Sequence, residues 1–204
     1  MMFTPFLLLP LILAVFSPLT ALSQDISAEW IINVQENGDA VVEIKIAIPL
    51  ESQEEWSSLN FDASAYKELF SEVVQSASQR TGREMEIQQW SVEKEFAGDH
   101  GVIIISFIWK NFCSQENGKL VIEDVLEGLY VPEGYTLKIV APQSMRIAEI
   151  NPAPDEMHDS SAIFSGPKTL SISASFESVE TPGFELLAAL LGTLLSVAIL
   201  RRRD

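Results

Sequence analysis

The sequence predicts an α+β domain, mainly antiparallel β-sheet with one long amphipathic helix packed on it, set between two apolar chain ends. Three observations carry this. Short runs of alternating apolar residues recur along the chain, separated by Asn-Gly and Glu-Gly turns. One stretch after Asp62 repeats its apolar residues with helical period. Residues 1–23 and 184–204 have the composition of membrane-inserting segments, which leaves 24–176 as the domain and 177–183 as a stalk.

The first element is a β-hairpin. Trp30, Ile32 and Val34 fall at alternate positions, Asn37-Gly38 supplies the turn, and Val42, Ile44, Ile46 and Ile48 fall at alternate positions again until Pro49, which has no N–H for a ladder. The helix follows, with Asp62 as N-cap, Tyr66, Leu69, Phe70, Val73, Val74 and Ala77 on one face, and Gly82 as a left-handed C-cap. Its other face carries Lys67, Glu68, Glu72, Gln75 and Gln79, as a helix lying on a sheet requires. Met85 to Phe96 reads as a strand whose apolar phase slips between Ile87 and Trp90, the mark of a bulge or break. Val102 to Trp109 is apolar on both faces except at Ser106 and is expected to be a central strand covered on both sides. Further strands are expected at Lys119–Val125, after the Asn117-Gly118 turn, and at Tyr135–Val140, Met145–Ile150 and Thr169–Phe176. Residues 151–155 contain Pro152 and Pro154 and are expected to form an extended loop.

Charge narrows the function classes. None of the 13 Lys and Arg or 29 Asp and Glu residues precedes Gln24, and residues 24–180 hold 27 acids against 10 bases. Such a surface repels nucleic acid, so no nucleic-acid partner is expected. Cys113 is the single cysteine, which excludes an intramolecular disulfide; with His100 and His158 as the two histidines, a zinc site of ordinary Cys/His composition cannot be built from one chain.

The chain ends give the address. Residues 1–23 contain an apolar core from Phe6 to Phe16 and small residues at Ala21 and Ser23, so signal peptidase cleavage is expected before Gln24; an uncleaved N-terminal anchor is the alternative. Leu186 to Leu200 is an apolar run of 15 residues followed by Arg201, Arg202 and Arg203. As a helix it would span roughly 22 Å, short of the roughly 30 Å hydrocarbon core. The arginines favour a cytoplasmic terminus, which puts the acidic domain outside.

Pro182-Gly183-Phe184, the apolar run and the terminal arginines together resemble the PGF sorting signal of archaeal surface proteins. That resemblance implies an archaeosortase that removes the tail and attaches a lipid; a plain single-span anchor is the alternative, and either leaves the protein at the membrane surface. The Asn37-Gly38 hairpin, the helix ending Thr81-Gly82-Arg83-Glu84, and the segments 101–112 and 118–130 are similar to an uncharacterised ectodomain family of archaeal exported proteins, which brings no activity with it.

No nucleophile elbow, His-Glu-x-x-His helix or phosphate-cradling loop occurs, so no catalytic residue and no cofactor is expected. Cys113 has only Lys110 nearby as a cation and is expected as a strand-end or loop thiol, with pairing to a second chain as the alternative. Asp99 and His100 share a turn and are expected to face water. Glu123, Asp124 and Glu127 are the candidate oxygen ligands for a weak Ca²⁺ site, although their spacing is not that of an EF-hand. Trp56, flanked by Glu54-Glu55 and Ser57-Ser58, is the candidate exposed aromatic for a ligand. The reading that follows is a non-enzymatic envelope protein whose ectodomain binds or supports other surface components, S-layer components among them. The alternatives are a ligand- or ion-binding sensory ectodomain and an envelope hydrolase using a carboxylate pair.

Overall fold

The computed structural model describes residues 26–50 and 52–179, so both apolar ends, with Ala21, Ser23, Gln24, Pro182, Gly183, Phe184 and Arg201–Arg203, lie outside the described residues. The hairpin is present as β1 (Ser27–Val34) and β2 (Ala40–Pro49), paired in the register Trp30↔Ile44 and Ile32↔Val42. Gly38 takes φ +85° in its turn, and its carbonyl accepts a 2.7 Å hydrogen bond from Cys113 N–H.

Between β2 and the long helix lies a one-turn helix that the alternation pattern did not predict, α1 (Gln53–Ser58). Ser52 caps it by accepting from Glu55 N–H at 3.3 Å, so the legible signal was the Ser-x-x-Glu start. The main helix is α2 (Ala63–Thr81); Asp62 accepts from Ser64 and Ala65 N–H at 2.9 and 3.1 Å, and Gly82 ends it at φ +68°. Tyr66, Leu69, Val74 and Ala77 are buried, as the helical period requires.

β3 (Ile87–Ala97) pairs with β4 (His100–Trp109), and the register shifts between Gln88 and Ser91 where Gln89 takes φ +52°. This bulge is the predicted phase slip, and it turns Trp90 inward, where it stacks on Phe107 at 5.6 Å. The expectation that β4 is covered on both sides is corrected. Ile103, Ile105, Phe107 and Trp109 are buried, whereas Val102, Ile104 and Ile108 on the other side are half-exposed. Apolar residues on both faces of a strand show what it tolerates, and here one face stays open among the described residues.

The second half departs further from the prediction. β5 (Ser114–Glu116) and β6 (Lys119–Ile122) form a small hairpin, and the strand expected to reach Val125 stops at Ile122 because a 3-10 turn at Asp124–Leu126 buries both Val125 and Leu126. β7 (Leu129–Val131) follows, then β8 (Tyr135–Val140), which runs parallel to β1 rather than antiparallel. After β9 (Met145–Asn151) and the extended proline loop come β10 (Glu156–His158) and β11 (Ser161–Ser165), a hairpin absent from the predicted strands. The expected strand 169–176 is two, β12 (Lys168–Leu170) and β13 (Ser173–Ser178), in different sheets. β13 also carries the domain to Ser178, past the predicted boundary at 176, so Glu177 is part of a strand and not of a stalk.

The sheets are seven-stranded in the order β10-β11-β8-β1-β2-β4-β3, four-stranded in the order β5-β6-β13-β9, and two-stranded β12-β7. All pairs except β1 with β8 are antiparallel, which with the one long helix makes the class α+β. The inward residues of the large sheet, α2 and the small sheet meet in one core that includes Phe107, Phe112, Phe164 and Phe176 at 2 % exposure or less.

Candidate functional site

A small concavity lined wholly by apolar surface lies under α2. Tyr66, Leu69, Phe70 and Val73 come from successive turns of its inward face, and they oppose Ala28 and Trp30 of β1, Ile44 and Ile46 of β2, and Ile105 of β4, with Leu129 at one side. The space is about 40 Å³. It exists because Ala28 offers a single methyl beside Trp30, while Phe70 is drawn aside into ring contacts with Trp30, Phe107 and Trp90 at 6.2, 5.5 and 6.0 Å. At about 24 cal/mol per Å³ an empty space of this size costs on the order of 1 kcal/mol. A lining of this kind gives water too few polar partners to hold it.

Trp30, Phe70, Val73 and Leu129 are half-exposed and form the rim, whereas Ile44, Ile46 and Ile105 close the floor. Burial, followed by the neighbouring Tyr135 phenol, pushes the Tyr66 hydroxyl up to about 12, so it stays neutral through the physiological range. The slot can therefore take a slender uncharged group and has nothing with which to fix a charge.

The reactive side chains singled out from the sequence are engaged elsewhere. Cys113 is buried, and burial pushes its thiol up to about 12 against the weaker opposing pull of Arg83. It is therefore neither an exposed thiol nor an activated one. His100 Nδ1 and Asp99 Oδ1 are 2.5 Å apart in an exposed turn, and this hydrogen bond holds the Asp99 carboxyl below its ordinary range.

Two arginines lie on the acidic cluster. Arg83 pairs with Glu123 at 3.3 Å, and Arg80 approaches Glu127 at 3.7 Å while donating to the carbonyls of Asp124 and Val125. Among the described residues no group of three His, Cys, Asp or Glu side chains is placed to hold a metal ion. Trp56 corrects its prediction outright, being 7 % exposed. α1 turns its polar residues to solvent and drives the indole onto Gly101, where an added Cβ would meet the ring at 2.2 Å; Lys94 covers the ring at 4.8 Å.

Sequence reasoning placed the apolar face of α2 on a sheet but missed the slot. Its one available signal was Ala28 two residues before Trp30 on the same strand face.

Comparison with known proteins adds the following. Residues 181–203 match the PGF-CTERM motif, the archaeosortase-dependent sorting signal of archaeal surface proteins. The protein is thus exported and anchored at the cell surface through its C-terminus, with the described domain outside. No curated protein matches the chain. Among solved structures it is similar to the folded domain of LppM from Mycobacterium tuberculosis, at 9% identity and a TM-score of 0.44, over 76% of this chain and 91% of that one. The match that covers most of the domain runs over residues 31–149, and by it the chain belongs to the family described as Domain of unknown function (DUF7345).

Proposed function

We propose that the ectodomain is a non-catalytic binding module of the archaeal envelope that takes a slender apolar group, the end of an alkyl chain, into the slot between α2 and the large sheet. The observation that carries this reading is the lining itself, a floor of Ile44, Ile46 and Ile105 with a half-exposed aromatic rim. Apolar concavities of this kind bind by dispersion and by removal of apolar surface from water. The non-catalytic part is supported by the buried neutral thiol of Cys113 and by the arginines on Glu123 and Glu127. Its natural partners are apolar portions of envelope components, S-layer components included, after processing by signal peptidase and archaeosortase.

Trp30 supplies the measurement. With the full-length protein in liposomes, an alkyl detergent brominated at its chain end should quench tryptophan emission, and Trp30→Phe should remove most of that quenching. Ala28→Val adds two methyl groups to the floor and should abolish it while leaving the melting temperature unchanged or higher. Quenching that survives in both variants would remove the slot from the reading, and robust turnover of envelope polysaccharide or peptide would remove the non-catalytic claim.

A further inference from the structure

The outer face of the seven-stranded sheet carries a second, independent inference. Ile31, Val41, Ile104, Ile108, Val140 and Ile163 are half-exposed there, and none belongs to the core or to the side chains packed against it. We infer that this face is covered by the same face of a second copy of the chain, related by a two-fold axis that runs along the strands above β1.

Three observations select that occupant and that axis. The first is the tether. Val179 N–H donates to the Ser144 carbonyl, and Ser144 Oγ donates to Glu36, so the chain leaves the domain at the end of the sheet that holds the β1–β2 turn. Two copies in one membrane must leave at the same end, and a two-fold axis along the strands is the one that allows it for sheets packed face to face.

The second is charge and shape in register. β1 is the middle strand of seven, with β8 on one side and β2 on the other. Rotation about an axis above it lays β8 of one copy over β2 of its partner with residue rows unchanged. Ile31 then meets its own copy. In the same row Lys138 and Glu43 flank Ile31 on opposite sides, so each lysine lies over the other copy's glutamate. In the next row Val140 and Val41 flank Asn33, so valine lies over valine. Glu29 also meets its copy, next to Lys45, which pairs with Glu43 of its own chain at 2.9 Å. A uniformly twisted sheet turned this way presents the same saddle, so the gap between the sheets stays even.

The third is size. Seven strands about 4.8 Å apart, from three residues in β10 to eleven in β3 and averaging about seven to eight at about 3.3 Å each, make a face of roughly 800 Å² per copy. That is the size of the roughly 800 Å² per partner of a standard specific interface. Confinement to a membrane surface raises the effective concentration further.

The test uses full-length protein in liposomes. Sheets stacked face to face lie about 10 Å apart, too far for a disulfide between facing residues, so Ile31→Cys should instead give a dimer cross-linked by a short bis-maleimide, with buried Cys113 not competing. Lys138→Glu should lower cross-linking at position 31 at least fivefold, and the double change Lys138→Glu with Glu43→Lys should restore it. As a check that needs no substitution, a zero-length carbodiimide on mixed isotopically light and heavy protein should join Lys138 of one copy to Glu43 of another. The inference is overturned if Ile31→Cys stays monomeric while a membrane-impermeant maleimide labels it freely, if the double change fails to restore cross-linking, or if no light–heavy peptide links these two residues. None of these outcomes depends on the slot.

Discussion

At the residue scale, the contact of Trp56 with Gly101 shows how one missing side chain fixes a neighbour. The flanking Glu54, Glu55, Ser57 and Ser58 are not buried, as their polarity predicted, yet a single apolar residue in a one-turn helix goes down onto whatever lies beneath. Six residues are too few to show helical period, so the burial of Trp56 was not legible, although the Ser52 cap was. Because a Cβ at position 101 would lie 2.2 Å from the indole, Gly101→Ala has to displace it. The expected cost is about 1–3 kcal/mol, read as a lower denaturation midpoint with a red-shifted tryptophan emission.

Asp39 is a second decisive residue, the one buried charged side chain of the described core, at 5 % exposure. Burial alone would raise its pKa. Hydrogen bonds from Lys110, from Asn111 N–H at 2.9 Å and from Asn37 Nδ2 at 2.8 Å outweigh burial and hold it below the ordinary carboxylate value. A depressed folded-state pKa contributes stability that is complete above the unfolded value, about 3.9, and is lost as pH falls through the folded value. Asp39→Asn is therefore expected to cost about 2 kcal/mol at neutral pH. Melting temperatures of the two proteins should differ by a constant amount from pH 7 to about pH 5, and the difference should close below about pH 4.

At the element scale, what was legible followed from strict periodicity. β1, β2 and α2 each alternate or repeat over at least eight residues, and each ends for a physical reason, β1 at the Asn37-Gly38 turn, β2 at Pro49 and α2 at Gly82. The bulge in β3 was legible for the same reason, as a fault in an otherwise regular pattern. Four strands hid for want of length. β5, β7, β10 and β12 are three residues each, and period two cannot be distinguished from chance over three positions. The parallel pairing of β8 with β1 hid because strand direction leaves no mark on alternation; it is set by the path of the chain through α2 and the small hairpin. The slot hid for a related reason, since its volume is the difference between two faces that were each read correctly but separately.

At the scale of the whole molecule, the same pairings give the domain a direction. β1, β2 and β8 place the turn 35–39 and residues 141–144 at one end, where Val179 leaves the fold. Pro49, α1 and the Gly98–His100 turn lie at the other, since Pro49 pairs with His100 and Ser27 with Ala47. Only Glu180 and Thr181 separate Val179 from the Pro182-Gly183-Phe184 motif, a reach of about 10 Å even when fully extended. A link this short is expected to hold the anchored domain with its hairpin turn toward the membrane and α1 toward the exterior. Cysteines introduced at Asn37 and at Ser57, both exposed and neither in the core, should report this on intact cells. A maleimide carrying a bulky polymer should modify Ser57→Cys at least several-fold faster than Asn37→Cys, while a small maleimide should modify the two at similar rates. Equal rates with the bulky reagent would mean that the domain lies on its side, and then the two-fold axis drawn along the strands would no longer stand upright on the membrane.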